Sequence, residues 1–227
     1  MAYPLTRVIA GYHFQLGLIV ERIVSLAVGY LCGSFLTAEV VARIFAHTTI
    51  FELGDGNPGM ANVGHELGTK AALICLAGDI LKTVAAVLIA RTLYPALGSL
   101  ATGWAGLGST LGHVFPFWHG FKGGKGVTTI ASTVILLDPL VGAAAAVVAL
   151  VTIIVSGYLS VAALVAMAFC AIAMALSGKL ELSLIYALFM ALTCYCHWSK
   201  LMGIKDGTTH RASISTKFWA KVRGTQK

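Results

Sequence analysis

Charge is scarce in this chain. Asp, Glu, Lys and Arg make up 11% of its 227 residues, against roughly 25% in an ordinary soluble domain. Hydrophobic residues make up 58%, more than a soluble core of this size can absorb. Acidic residues are the rarest charged type: nine Asp and Glu stand against sixteen Lys and Arg, a formal charge of +7. The basic residues do not line one surface, as in a nucleic-acid binder. They gather at the ends of apolar blocks and after Lys200, which points to anionic lipid headgroups and not to nucleic acid. Other absences narrow the chemistry. There is no Gly-x4-Gly-Lys-Ser/Thr phosphate loop, and no Ser-His-Asp arrangement that would form an acyl-enzyme. Cys194, Cys196 and His197 are metal-ligand residue types, but no second ligand cluster accompanies them, so neither metal nor cofactor is expected. The five cysteines lie in or beside apolar segments, where free cysteine behaves as a small hydrophobe, and no disulfide framework follows.

What fills the chain instead is long apolar blocks. In lipid every backbone polar group must be bonded within its own segment, so such blocks read as membrane-spanning helices. The expected fold class is all-α: a polytopic integral membrane protein of about seven transmembrane helices. The candidate spans are 23–46, 71–93, 97–115, 127–137, 140–156, 159–176 and 182–198. The fourth is short, and Asp138-Pro139 after it allows either a tight hairpin or one kinked helix. The chain reads as one domain, 1–227, with an N-terminal extension, 1–22, and a basic tail, 199–227. The extension carries Tyr3, Arg7, Tyr12, His13 and Gln15, and with no small-residue cleavage site the first block is expected to be retained as a span. Lys and Arg near span ends favour the cytoplasm. That rule puts Arg43, Lys70, Lys122, Lys125 and the tail inside, with Arg7, Arg22, Arg91 and Lys179 outside. Residues 47–70, 116–126 and the tail then share the cytoplasmic face.

Three segments there could carry chemistry. Gly54-Asp55-Gly56-Asn57-Pro58-Gly59-Met60-Ala61-Asn62 can bend its N–H groups into an anion nest, or can be an ordinary loop. Phe121-Lys122-Gly123-Gly124-Lys125-Gly126 places glycines and two ammonium groups where a helix begins, which favours a bound phosphate; positive-inside lysines are the plainer alternative. Thr208-Thr209-His210-Arg211-Ala212-Ser213 opens a tail that is either solvated or offers a general base, His210, and a phosphate clamp, Arg211. Within the spans, Asp79 and Lys82 share a helix face as a structural ion pair. Arg43 is placed to partner Glu39. His113, Trp118 and His119, near a span end, read as interfacial rings.

Taken together these segments resemble the bacterial acyl-phosphate-dependent glycerol-3-phosphate acyltransferases. Gly112-His113-Val114-Phe115-Pro116 followed by Phe121-Lys122-Gly123-Gly124-Lys125-Gly126-Val127 looks like the family's second motif. Gly54, Gly56, Asn57, Gly59 and Asn62, then Gly68 and Gly78-Asp79-Ile80-Leu81-Lys82, look like the first motif and its following helix, and His210-Arg211 like the start of the third. The resemblance implies a bacterial cell-membrane enzyme of phospholipid synthesis. Its implied partners are an acyl-phosphate and a small polar acceptor. It implies catalytic roles for His210 and Lys125, and Asp55, where the chain departs from the family, is expected to join His210 in orienting or deprotonating the acceptor hydroxyl. Substrate phosphate would be held by Gly54, Gly56, Asn57, Gly59, Asn62, Lys122, Gly123, Gly124, Gly126 and Arg211; His65 and Ser213, which stand where the family has other residues, are the candidate acceptor contacts of this chain. The chain departs from the family at Phe51 and His65, where the family has arginine, at Asp55, where it has serine, and at Ser213, where it has asparagine. An altered acceptor pocket follows from those departures. The alternative is a non-catalytic lipid-phosphate binder or translocator on the same fold.

Overall fold

The computed structural model describes residues 5–222, with side chains from Leu18 onward. The side chains of Tyr3, Arg7, Tyr12, His13 and Gln15 therefore lie outside the described residues, as do Arg223 and Lys227 of the tail. The described residues are helices and turns without a strand. In chain order the helices are α1 Leu5–Gly33, α2 Thr37–Ala46, α3 Met60–Leu93, α4 Ser99–Val114 and α5 Val127–Leu137. There follow α6 Pro139–Ser156, α7 Leu159–Leu176, α8 Leu180–Cys196, α9 Trp198–Lys205 and α10 Ser213–Val222. They form two compact units, Met1–Gly124 and Lys125–Lys227.

In the first unit α4 is buried along most of its length and packs on α1 and α3. Small residues let the backbones touch. A side chain at Gly29 or Gly33 would strike the carbonyls of Ala105 or Ser109, and one at Gly108 or Gly112 those of Leu26 or Tyr30. Two small-xxx-small ridges thus interlock, the usual device where lipid removes the hydrophobic drive for helix pairing.

The expected first span is interrupted. The chain leaves the helix at Ser34–Leu36 and resumes at Thr37. Side chains satisfy the freed carbonyls: Trp118 Nε1 donates to Ser34 O and Lys82 Nζ to Phe35 O, each at 2.8 Å. Broken helices are tolerated at membrane depth only with such replacements. α3 bends at Gly68, whose φ of 83° leaves the helical region. The bend separates the polar piece before it from the apolar run after it.

The second unit packs α5 on α6, α6 on α7, α7 on α8, and α10 on α6. Asp138 ends α5 and caps α6, accepting from the N–H groups of Leu140 and Val141 at 3.1 Å each. A Cβ at Gly142 would touch Ile135, a contact that residues seven apart on one helix cannot make, since they sit about 10 Å apart along its axis. The tight hairpin is therefore realised, and the single kinked helix is not.

Among the described residues four helical stretches are long and apolar enough to cross a membrane: Leu18–Ala46, Met60–Leu93, Pro139–Ser156 and Leu159–Leu176. α8 and α9, bent by 64°, make a fifth if they count as one span. α4 and α5, at 16 and 11 residues, fall short of the roughly 20 residues a bilayer asks for. Length and composition thus support four or five of the seven expected spans.

Candidate functional site

Glu39 fixes the entrance to the first glycine loop. Buried on α2, it receives Arg43 Nε at 2.7 Å, the expected partner, and also Thr49 Oγ1 at 2.9 Å and the Ile50 N–H at 2.8 Å. Behind the loop Ala38, Val41, Ile50, Val63, Ala71 and Cys75 form one apolar cluster. Asn62 then clasps the loop from α3: its Nδ2 donates to Leu53 O at 2.8 Å and its Oδ1 accepts from the Asp55 N–H at 3.2 Å.

The expected anion nest in this loop is largely spent. The Gly56 N–H goes to Leu53 O, the Asn57 N–H to Asp55 Oδ1 and the Gly59 N–H to Asn57 O. Pro58 has no N–H. The positive φ angles of Gly54 and Gly56, 56° and 69°, serve a self-bonded turn, and Asp55 closes it as a short acceptor would. What stays available is the Gly54 N–H, the exposed Asp55 carboxylate, the Asn57 side chain and the first-turn N–H groups of α3, which no helix satisfies internally. His65 is exposed, with Nδ1 2.7 Å from Glu66 Oε1.

The second glycine segment differs. Its Phe121 N–H bonds Pro116 O, Lys122 N–H bonds His119 O and Gly124 N–H bonds His113 O. Among the described residues the N–H groups of Gly123, Lys125 and Gly126 have no acceptor in the protein. Gly126, with φ of 72°, is the residue before α5, so the unbonded N–H groups of the first α5 turn follow directly. That helix N-terminus and the two lysines favour an anion. Gly123 and Gly124 are required by closeness. A Cβ at Gly123 would meet the His113 and Val114 carbonyls, and one at Gly124 the His113 ring and Pro58 O.

The structure corrects the expectation of an interfacial ring at His113. It is buried, and its Nδ1 lies 2.8 Å from Lys82 Nζ. The same ammonium donates to Asp79 Oδ1 at 2.8 Å and to Phe35 O. Thr37 Oγ1 adds a 3.4 Å contact to Asp79. The Asp79–Lys82 pair is thus present as expected, and it extends to the imidazole that packs beneath Gly124. The available signal was spacing: His113 lies four residues after Ser109, whose hydroxyl meets Thr83 of α3, so the two share the face turned to that helix. Trp118 and His119 stay nearer the surface, with His119 5.7 Å from the Phe51 ring.

In the second unit His210 and Ser213 are exposed. Arg211 lies over the Tyr158 ring at 5.9 Å and along Gly157, and the Ala212 N–H bonds Gly157 O at 2.7 Å. The backbone at the start of the tail is thus docked on Gly157, while the side chains of His210, Arg211 and Ser213 stay exposed. Thr209 Oγ1 ties the preceding turn to Lys200 O at 2.8 Å. Helices α5 to α8 also line an apolar cavity of about 200 Å³ that begins at Val127, just after the glycine segment, and passes Ile130, Val134, Ala145, Met167 and Thr193.

Comparison with known proteins gives a consistent result. The profile of the glycerol-3-phosphate acyltransferase family matches residues 23–207. Glycerol-3-phosphate acyltransferase 1 of Lactobacillus acidophilus is 32% identical over 85% of this chain and 93% of its own length. The Sinorhizobium fredii glycerol-3-phosphate acyltransferase is 35% identical over 88% and 96%. The crystal structure of PlsY, an integral membrane glycerol 3-phosphate acyltransferase, in its glycerol 3-phosphate form is similar with a TM-score of 0.72 at 29% identity, covering 84% of this chain and 94% of that one.

Proposed function

This chain belongs to the glycerol-3-phosphate acyltransferase family and is a membrane acyltransferase of phospholipid synthesis; from that premise we propose that its donor is an acyl-phosphate and that the chemistry faces the cytoplasm. Membership of an acyltransferase family displaces the non-catalytic alternative. The observation that carries the donor assignment is the contrast between the two glycine loops. One gives the N–H groups of Asp55, Gly56, Asn57 and Gly59 to acceptors in the protein, whereas the other leaves those of Gly123, Lys125 and Gly126 unbonded in a segment that also carries Lys122 and Lys125. Gly124 contributes closeness of fit, because its own N–H is given to His113.

In the proposed reaction an acceptor hydroxyl oxygen attacks the acyl carbon. The new C–O ester bond forms, the bond from that carbon to the phosphate oxygen breaks, and inorganic phosphate leaves with the electron pair. Lys122, Lys125 and the free N–H groups stabilise the charge that grows on the leaving phosphate. The donor is already activated, so no acyl-enzyme is needed. His210 or Asp55 takes the hydroxyl proton, and Arg211 or His65 contacts any phosphate on the acceptor. The apolar cavity that starts at Val127 suits the donor's hydrocarbon chain, since an amphiphile held by its head at the start of α5 must place its tail in an apolar slot.

The cytoplasmic orientation is supported by the Lys and Arg distribution. Asp55 and His65 motivate the altered-acceptor reading: an exposed carboxylate stands where the family has serine, and the histidine is engaged by Glu66. The test is acyl transfer from acyl-phosphate to glycerol-3-phosphate, run beside unphosphorylated acceptors such as glycerol. Phosphate release coupled to ester formation is expected. Transfer only from acyl thioesters would overturn the donor assignment.

A further inference from the structure

α10 lies beyond residue 207, where the match to the family profile ends, and beyond its first residue, Ser213, the acyl-transfer reading gives it no task. Its side chains are sorted by face. Ser215 Oγ and Trp219 Nε1, four residues apart, both donate to Ile154 O at 2.9 Å. Ile154 is in the last turn of α6, where carbonyls lack helical partners, so the two donors fasten α10 to that end. Because α6 is long and apolar enough to span, its end lies where bilayer meets water, and α10 is held at that level. The exposed Val147, Val151 and Val155 climb α6 to the same end.

Next to the fastened face, Ile214, Phe218 and Val222 follow at four-residue intervals and so share one stripe. They remain 47%, 44% and 60% exposed. Lys217 and Lys221 border the stripe on its far side, also four apart and exposed. An apolar stripe edged by lysines at the level of the bilayer surface has the composition of an interfacial helix. Lysine stems run along apolar surface and carry their ammonium groups to the headgroups.

We propose that α10 docks on the surface of its own host bilayer, with Ile214, Phe218 and Val222 among the acyl chains and Lys217 and Lys221 on anionic phospholipid headgroups. The occupant is lipid and not a second protein, because charge complementarity and the adjoining outward face of α6 both favour it. The inference rests on membrane insertion alone and stands apart from the donor and acceptor assignments.

Photo-crosslinking of the full chain tests it. Phe218→p-benzoylphenylalanine, with Ile214 replaced likewise as a second reporter, is placed in nanodiscs of equal phosphatidylcholine and phosphatidylglycerol. Thr216, on the opposite face, serves as the control position. Lipid adducts are expected at 218 and 214 and not at 216. Phosphatidylglycerol adducts should exceed phosphatidylcholine adducts by roughly fivefold or more, as one kcal-scale contact per lysine implies. In Lys217→Gln with Lys221→Gln the ratio should fall towards parity. Absence of lipid adducts at both reporters, or a crosslinked dimer of the chain, would overturn the proposal. Parity between the two lipids in the unmodified chain would overturn its anionic part.

Discussion

Lys82 Nζ has three hydrogens and no lone pair, so the imidazole nitrogen 2.8 Å away must accept. His113 is therefore held with its proton on Nε2, and its ring supports Gly124 from a fixed position. Lys82 joins Asp79, His113 and Phe35 O in one buried cluster, where removing a single charge leaves the other without compensation. We expect Lys82→Met to cost about 3–5 kcal/mol, measured as a lowered unfolding temperature in detergent; an unchanged melt would show the cluster to be dispensable. At Lys125 the expectation is different. Lys125→Ala should leave the protein folded and lower acyl-phosphate affinity roughly tenfold or more, since a charge-assisted contact is worth about 1.5–3 kcal/mol. Titration with acyl-phosphate decides this, and unaltered affinity would reduce Lys125 to a topology signal. The departures from the family give a third test. Asp55→Ser with His65→Arg and Ser213→Asn should raise the rate with glycerol-3-phosphate, because it removes a carboxylate and adds a guanidinium where a phosphate is expected. If the unmodified chain already uses that acceptor efficiently and the triple variant is slower, the altered-acceptor reading fails.

Between elements, glycine does two unlike jobs. At Gly126 it supplies a left-handed φ, whereas at Gly108 and Gly112 it removes bulk so that α4 can reach the α1 backbone. Helix propensity alone would make Gly→Ala at 108 or 112 stabilising by roughly 0.5–1 kcal/mol. We expect the reverse. A Cβ at either site runs into a main-chain carbonyl of α1, which cannot rotate away as a side chain could. Detergent-solubilised Gly108→Ala and Gly112→Ala should melt earlier than the parent, and a later melt would mean that the two helices can move apart at little cost. The docking of α10 on α6 belongs to the same scale. Polar residues after Lys200 predict a solvated tail, yet the unsatisfied Ile154 carbonyl gives Ser215 and Trp219 a reason to fold back.

For the molecule in its bilayer, orientation is the remaining quantity to measure. Cysteines introduced at Gly64 and Gln226 should resist an impermeant maleimide in intact cells and react after permeabilisation. Strong labelling in intact cells would reverse the topology. This outcome bears on function, because a soluble phosphorylated acceptor reaches the glycine loops only from the side they face.

The class of the protein was legible in the residues themselves. Apolar block length and Lys/Arg placement are sums over local sequence, so the membrane fold and the boundaries of α5, α6 and α7 could be read almost to the residue. The motifs were legible too, because glycine and lysine at fixed spacing in one short segment need no distant partner to be noticed. Hydrogen-bond bookkeeping was not legible. Asn62 and Leu53, His113 and Gly124, or Trp219 and Ile154 are far enough apart in sequence that only the packing of whole helices decides whether they meet. For that reason the sequence offered both glycine loops as nests, and tertiary structure alone separated the loop that bonds most of its own N–H groups from the one that leaves those of Gly123, Lys125 and Gly126 unbonded. The same holds for His113: its residue type and its place near a span end allowed an interfacial ring, while the approach of α3, which carries Lys82, to α4 set its partner, its proton and its depth.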